Sequence, residues 1–114
     1  YCIKYVEVAN VRNMEDLLKA INEDKLDQCL LLDVRSEEEF RGGHIAGASN
    51  LPHDSISADN VDELQNYQKV IVYCHMGGRA GIAQQILNNL GLNNVVCINE
   101  NGMAHWFEQG YPTV

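Results

Sequence analysis

Positive charge is scarce in this chain: eight lysines and arginines face sixteen aspartates and glutamates, for a formal charge of −8. A polyanionic partner needs a basic footprint, so this balance argues against nucleic acid and against a membrane surface as partner. It also opposes small anions at long range, although salt screens that field beyond roughly 8–10 Å. No apolar run approaches the roughly eighteen residues of a membrane span, and no signal-peptide pattern opens the sequence. There is no repeat, low-complexity tract or linker, so residues 1–114 read as one domain, large enough for a single core and too small for two. The four cysteines, spaced by 27, 45 and 23 residues, form neither a zinc pattern nor a Cys-x-x-Cys pair. With 46% hydrophobic residues the chain has core enough to do without a disulfide framework. A reducing, cytoplasmic setting fits these thiols; a periplasmic one, or a place in a longer chain that the opening Tyr1 allows, stays open.

What is present is most informative between Val70 and Leu90. Val70-Ile-Val-Tyr73 is a short apolar run suited to a buried parallel strand. Beyond Arg79, the set Ile82, Ala83, Ile86, Leu87 and Leu90 recurs at helical spacing, with Gly91 as a stop. The chain must therefore turn from strand to helix across Cys74-His75-Met76-Gly77-Gly78-Arg79. Gly77 and Gly78 permit positive φ and close backbone approach, so the turn can aim successive N–H groups inward as an anion-binding nest backed by the helix N-terminus. A thiol at the mouth of that nest is expected to be stabilised as the nucleophilic thiolate, with Arg79 adding a fixed positive charge. Cys29 and Cys97, each in or beside an apolar strand, read as small buried hydrophobes, and Cys2 is uninformative.

The rest of the chain alternates strand and helix, the signature of an α/β domain with a mainly parallel sheet. Strands are expected at Tyr5–Val8, Cys29–Asp33, Ala48–Leu51, Val70–Tyr73 and Val95–Ile98. Asn13 caps a helix that turns Leu17, Leu18 and Ile21 to the core. Ser36-Glu-Glu-Glu39 has capping-box form and opens a short helix that packs Phe40 inward; a weak helix is expected around Val61–Leu64. Ligands of open α/β sheets gather beyond the carboxyl ends of the strands. Asp33 and Arg35 end one strand and Cys74 another, which places them on one rim. Asp33, Arg35 and His44 read as a supporting network in preference to part of the chemistry. Glu23, Asp24, Lys25 and Asp27 form a charged turn and Glu37–Glu39 a solvated helix face, neither suited to metal. His53 and His105 read as solvated, and Trp106 with Phe107 as a lid on the core.

These motifs together resemble the rhodanese family over nearly the whole chain. Leu31-Leu-Asp-Val-Arg35 is similar to its strand ending in Asp-x-Arg. Glu38-Glu-Phe-Arg-Gly-Gly-His44-Ile-Ala-Gly-Ala48, followed by Asn50-Leu-Pro52, resembles its Gly-His-Ile segment. Cys74 to Arg79 is similar to its active-site loop, and Gly102-Met-Ala-His-Trp106 with Gly110-Tyr-Pro112 to its C-terminal signature. Three positions depart from the pattern: His75 stands where a basic residue commonly follows the nucleophile, Ala80 where serine follows the loop arginine, and Asn101-Gly102 where the family has paired glycines.

The resemblance implies a rhodanese-like α/β fold, a mainly parallel five-stranded sheet with helices on both faces. It implies a sulfurtransferase in which Cys74 takes sulfane sulfur from a donor such as thiosulfate, holds it as a persulfide, and passes it to a thiol or cyanide. On that reading His75, Met76, Gly77, Gly78 and Arg79 form the substrate-binding loop, Arg79 orients the donor's oxygens, and no metal or organic cofactor takes part. A sulfur carrier served by a protein donor or acceptor, or a regulatory binding module, is the alternative. Phosphatase or arsenate reductase chemistry ranks lower, because relatives with that chemistry hold five residues between cysteine and arginine, whereas this loop holds four.

Overall fold

The computed structural model describes residues 11–23 and 28–114. The first helix, α1 (Met14–Asn22), starts where Asn13 Oδ1 accepts the amide of Asp16 at 2.9 Å. Glu15 and Asp16 in its first turn and Lys19 in its last complement the helix dipole. Its buried stripe is Met14, Leu17 and Ala20; Leu18 and Ile21, expected inside, are only partly buried and pack at the margin.

Strand β1 (Cys29–Asp33) lies at the centre beside β3 (Lys69–Tyr73), flanked by β2 (Ser49–Asn50) and β4 (Val95–Cys97) in the order β2-β1-β3-β4. Every pairing is parallel. The sheet thus has four strands among the described residues against the five expected; the strand anticipated at Tyr5–Val8 lies outside them. Short 3₁₀ segments occupy His53–Ser55 and Asp62–Asn66, the latter in place of the weak helix expected there.

Side chains alternate across a strand, and the two faces bury separate clusters. Leu31, Ile71, Tyr73, Val96 and Ile98 meet α1 and a C-terminal helix, α4 (Met103–Glu108), on one face. Leu32, Val70, Val72, Cys74 and Cys97 meet α3 (Gly78–Asn89) on the other, so helices cover both faces as the sequence implied. The contact stripe of α3 runs through Ala80, Ala83 and Leu87. Ile82, expected inside, is 49% exposed: two residues from Ala80 is about 200° around a helix of 3.6 residues per turn, which turns it outward. The capping box at Ser36 forms as anticipated and starts α2 (Glu37–Arg41). Its Phe40 is only half-buried, stacked on the His44 ring at 3.7 Å between centroids and not packed in either core. Among the described residues, no helix is long and apolar enough to cross a membrane.

Candidate active site

The loop between β3 and α3 folds back over its first residue. Cys74 is buried, and its Sγ accepts the amide of Gly77 at 3.0 Å and that of Ala80 at 3.3 Å. The second amide belongs to the first turn of α3, whose positive dipole end complements an anionic sulfur. Glycine is required at 77 twice over: φ is +110°, and a Cβ there would stand 2.5 Å from the Asn99 carbonyl oxygen. Gly78, paired with it in the sequence reading, carries no such demand; it is the first residue of α3, and a Cβ there would meet nothing within 4 Å.

The underside of the loop rests on α4. The amides of Met103 and Ala104 donate to the carbonyls of Cys74 and His75 at 2.8 and 3.0 Å. Gly102, just before this helix, passes so near the loop that a Cβ would lie 2.2 Å from the Cys74 carbonyl oxygen. Asn101 Oδ1 accepts the Met14 amide at 2.8 Å, tying the start of α1 to the same corner. None of these supports was singled out in the sequence beyond the Gly102 motif; each joins residues too far apart in the chain for local pattern to reveal.

Arg79, expected to face a donor, gives both terminal nitrogens to Glu39: Nη1 to Oε1 at 2.6 Å and Nη2 to Oε2 at 3.0 Å. This bidentate pair crosses from α3 to α2. The guanidinium holds the Glu39 carboxyl down to about 2 against the opposing effect of burial, with Ser36 assisting. Glu39 in turn raises Arg79 above its ordinary value. Glu39 therefore leaves the solvated face assigned to Glu37–Glu39: one oxygen completes the capping box with Ser36, and both hold the arginine.

His75 is half-buried beside Cys74, its Nδ1 buried with no hydrogen-bond partner among the described residues, while Met76 is exposed. Asp33 and Arg35 form a fully buried pair, Arg35 Nη2 to Asp33 Oδ2 at 2.7 Å, and Arg35 also donates to the Gly43 carbonyl at 2.8 Å. They sit at the rim with Cys74, but alternation puts Asp33 on the Leu31 and Tyr73 face, opposite the sulfur. Burial and the Asp33 carboxylate hold the Tyr73 phenol well above its ordinary range. His44 does not join that pair; its Nδ1 lies 2.8 Å from the Phe40 carbonyl oxygen. Asp33 and Arg35 thus brace the segment that carries α2.

Elsewhere, Cys97 is buried and Cys29 half-buried. Burial, with the nearby Cys74 charge adding, pushes the Cys97 thiol up to about 11. His105 is not simply solvated: it is half-buried, with Nε2 3.1 Å from Glu15 Oε1. His53 is half-buried too. Trp106 is buried and its Nε1 donates to the Pro112 carbonyl at 2.8 Å, whereas Phe107 stays 43% exposed, leaving Trp106 alone as the lid.

This loop, sulfur-facing amides included, sits within residues 13–109, which match the rhodanese-like domain. The chain belongs to that family. A rhodanese-related protein from Thermoplasma volcanium has the same fold, with a TM-score of 0.69 and 32% identity over 91% of this chain and 98% of its own. Thiosulfate sulfurtransferase 16, chloroplastic, of Arabidopsis thaliana is 32% identical over 72% of this chain and 77% of its own length. The adenylyltransferase and sulfurtransferase UBA4 of Meyerozyma guilliermondii is 34% identical over 70% of this chain and 20% of its own. The chain spans about half the length of another curated relative it matches. Membership of the family and these named relatives support a sulfurtransferase-type function.

Proposed function

We propose that this rhodanese-like domain moves sulfane sulfur through a persulfide on Cys74. The observation that carries the reading is the paired donation of the Gly77 and Ala80 amides to Cys74 Sγ, an arrangement that complements negative charge on that atom. The Cys74 thiolate attacks the outer sulfur of a donor; the new Sγ–S bond forms as the donor's own bond to that sulfur breaks, and the donor departs with the electron pair. An acceptor thiolate or cyanide then attacks the bound sulfur, and Cys74 leaves as thiolate. The same amides favour the anion before and after transfer, and splitting the reaction this way gives double-displacement kinetics. Because the UBA4 relative couples a sulfurtransferase with an adenylyltransferase by name, a protein donor or acceptor is the second reading.

Incubation with a sulfane-sulfur donor, followed by intact-mass and peptide mass spectrometry before and after reductant, tests the proposal. One reducible sulfur on Cys74, absent in Cys74→Ser, is expected. Sulfur located only on Cys2, Cys29 or Cys97 refutes it, and Cys74-dependent hydrolysis of phosphate esters outpacing sulfur transfer would put the phosphatase reading ahead.

A further inference from the structure

All three arginines between residues 33 and 79 are bound to carboxylates: Arg35 to Asp33, Arg41 to Glu37, and Arg79 to Glu39. The Arg79–Glu39 pair is the one that bears on the loop. It is bidentate, sets a carboxylate against both terminal guanidinium nitrogens, and so offsets the charge that a sulfonate-like oxygen group would meet there. Glu38, next to Glu39 in the same short helix, is exposed and takes no part in the pair, and the chain as a whole carries −8. At position 75, next to the nucleophile, stands a histidine and not a fixed cation.

From this we infer that Glu39 sets donor specificity: by neutralising Arg79 it turns the Cys74 loop away from thiosulfate and toward persulfides of thiols. The inference rests on the sulfur-transfer reading of Cys74. The two donors differ in what their departure requires. Attack on thiosulfate brings a dianion against the anionic Cys74 sulfur and expels sulfite, also a dianion, so rate depends on nearby positive charge. Attack on a persulfide, R–S–S–H, forms the Cys74 Sγ–S bond and breaks the donor's S–S bond. R–S⁻ leaves with the electron pair while the proton stays on the transferred sulfur. The charge is unchanged at minus one across that step, the sulfane sulfur keeps its oxidation state, and the backbone amides at Cys74 suffice to hold the anion.

Glu39→Gln tests this without dismantling the helix, since glutamine at that position still serves a capping box. Rates of Cys74 sulfuration are measured by stopped reaction and mass spectrometry with thiosulfate and, separately, the persulfide of an uncharged thiol such as 2-mercaptoethanol. The native protein should load faster from the persulfide. In Glu39→Gln the thiosulfate-to-persulfide rate ratio should rise severalfold, the scale of one partly solvent-screened charge at close range, mainly through a lower KM for thiosulfate. Glu38→Gln makes the same change in formal charge away from Arg79 and should leave the ratio where it was. Native loading that is faster from thiosulfate, or a ratio shifted equally by both variants, overturns the inference while leaving sulfur transfer intact. Failure of both donors to place sulfur on Cys74 overturns the sulfur-transfer reading and this inference with it. Thermal melts of both variants guard against a shift that merely tracks stability.

Discussion

Gly102 lies against the carbonyl of Cys74, with the place of its missing Cβ only 2.2 Å from that oxygen. Backbone cannot yield as a flexible side chain can, so the smallest substitution here must push the loop away from α4. Gly102→Ala is expected to cost roughly 1–3 kcal/mol of stability, the usual range for overpacking. It should also slow sulfur loading of Cys74 by roughly a hundredfold, because the amides that face Sγ move with the loop. Urea unfolding and a loading time course check the two effects separately.

The Asp33–Arg35 pair predicts a different outcome. Replacing Arg35 by methionine strands a carboxylate in a fully buried site, at a cost of about 3–5 kcal/mol. Since typical domains hold only about 5–15 kcal/mol in all, that is a large share. Yet the pair faces away from Cys74, so sulfur loading measured well below the melting temperature should fall far less than in Gly102→Ala. Denaturant melts beside loading rates at low temperature distinguish bracing from participation.

Acid should loosen the link between α2 and α3. Glu39 is held at about 2 against an ordinary 4.5. A depressed carboxyl stabilises the fold above its unfolded value, and that contribution drains away as pH falls from about 4.5 toward 2. Both side chains are about a third exposed, so solvent screens the pair and the gain is modest. Glu39→Gln should therefore lose less stability than the parent across that window, as followed by melting temperature against pH, and added salt should narrow the difference.

Cys97 is expected to resist thiol reagents. Its thiol is pushed from an ordinary 9.0 to about 11, and the reactive thiolate is correspondingly rare near neutrality. Iodoacetamide labelling with peptide mapping should leave Cys97 unmodified at neutral pH in the folded protein, and modify it as pH nears 11 or once the chain is unfolded. Prompt labelling at neutral pH in the native state would contradict the burial argument.

Much of the architecture was legible because it depends on local pattern. The runs Cys29–Asp33 and Val70–Tyr73 became strands, Asn13 and Ser36 capped the helices they precede, and the Cys74 to Arg79 turn formed the strand-to-helix loop. What could not be read depends on contact across the chain. Glu39 looked like one of three solvated glutamates because nothing within its own helix discloses an arginine forty residues away. The inward face of α3 was misassigned at Ile82 because size favoured isoleucine over Ala80, whereas the sheet takes Ala80 alongside the expected Ala83 and Leu87. Asp33 and Cys74 were correctly placed on one rim, but their opposite facing follows only once the strand register is known.

The hydrogen bonds from α4 to the loop also give the molecule a built-in optical probe. Trp106 is the sole tryptophan, and it lies one turn beyond the amides that grip the Cys74 and His75 carbonyls. Its indole is anchored to Pro112 and meets the Tyr111 ring edge-on at 5.1 Å between centroids. Motion of the loop is thereby handed to a chromophore in a sharply defined setting, so its fluorescence offers a label-free trace of loop displacement in real time.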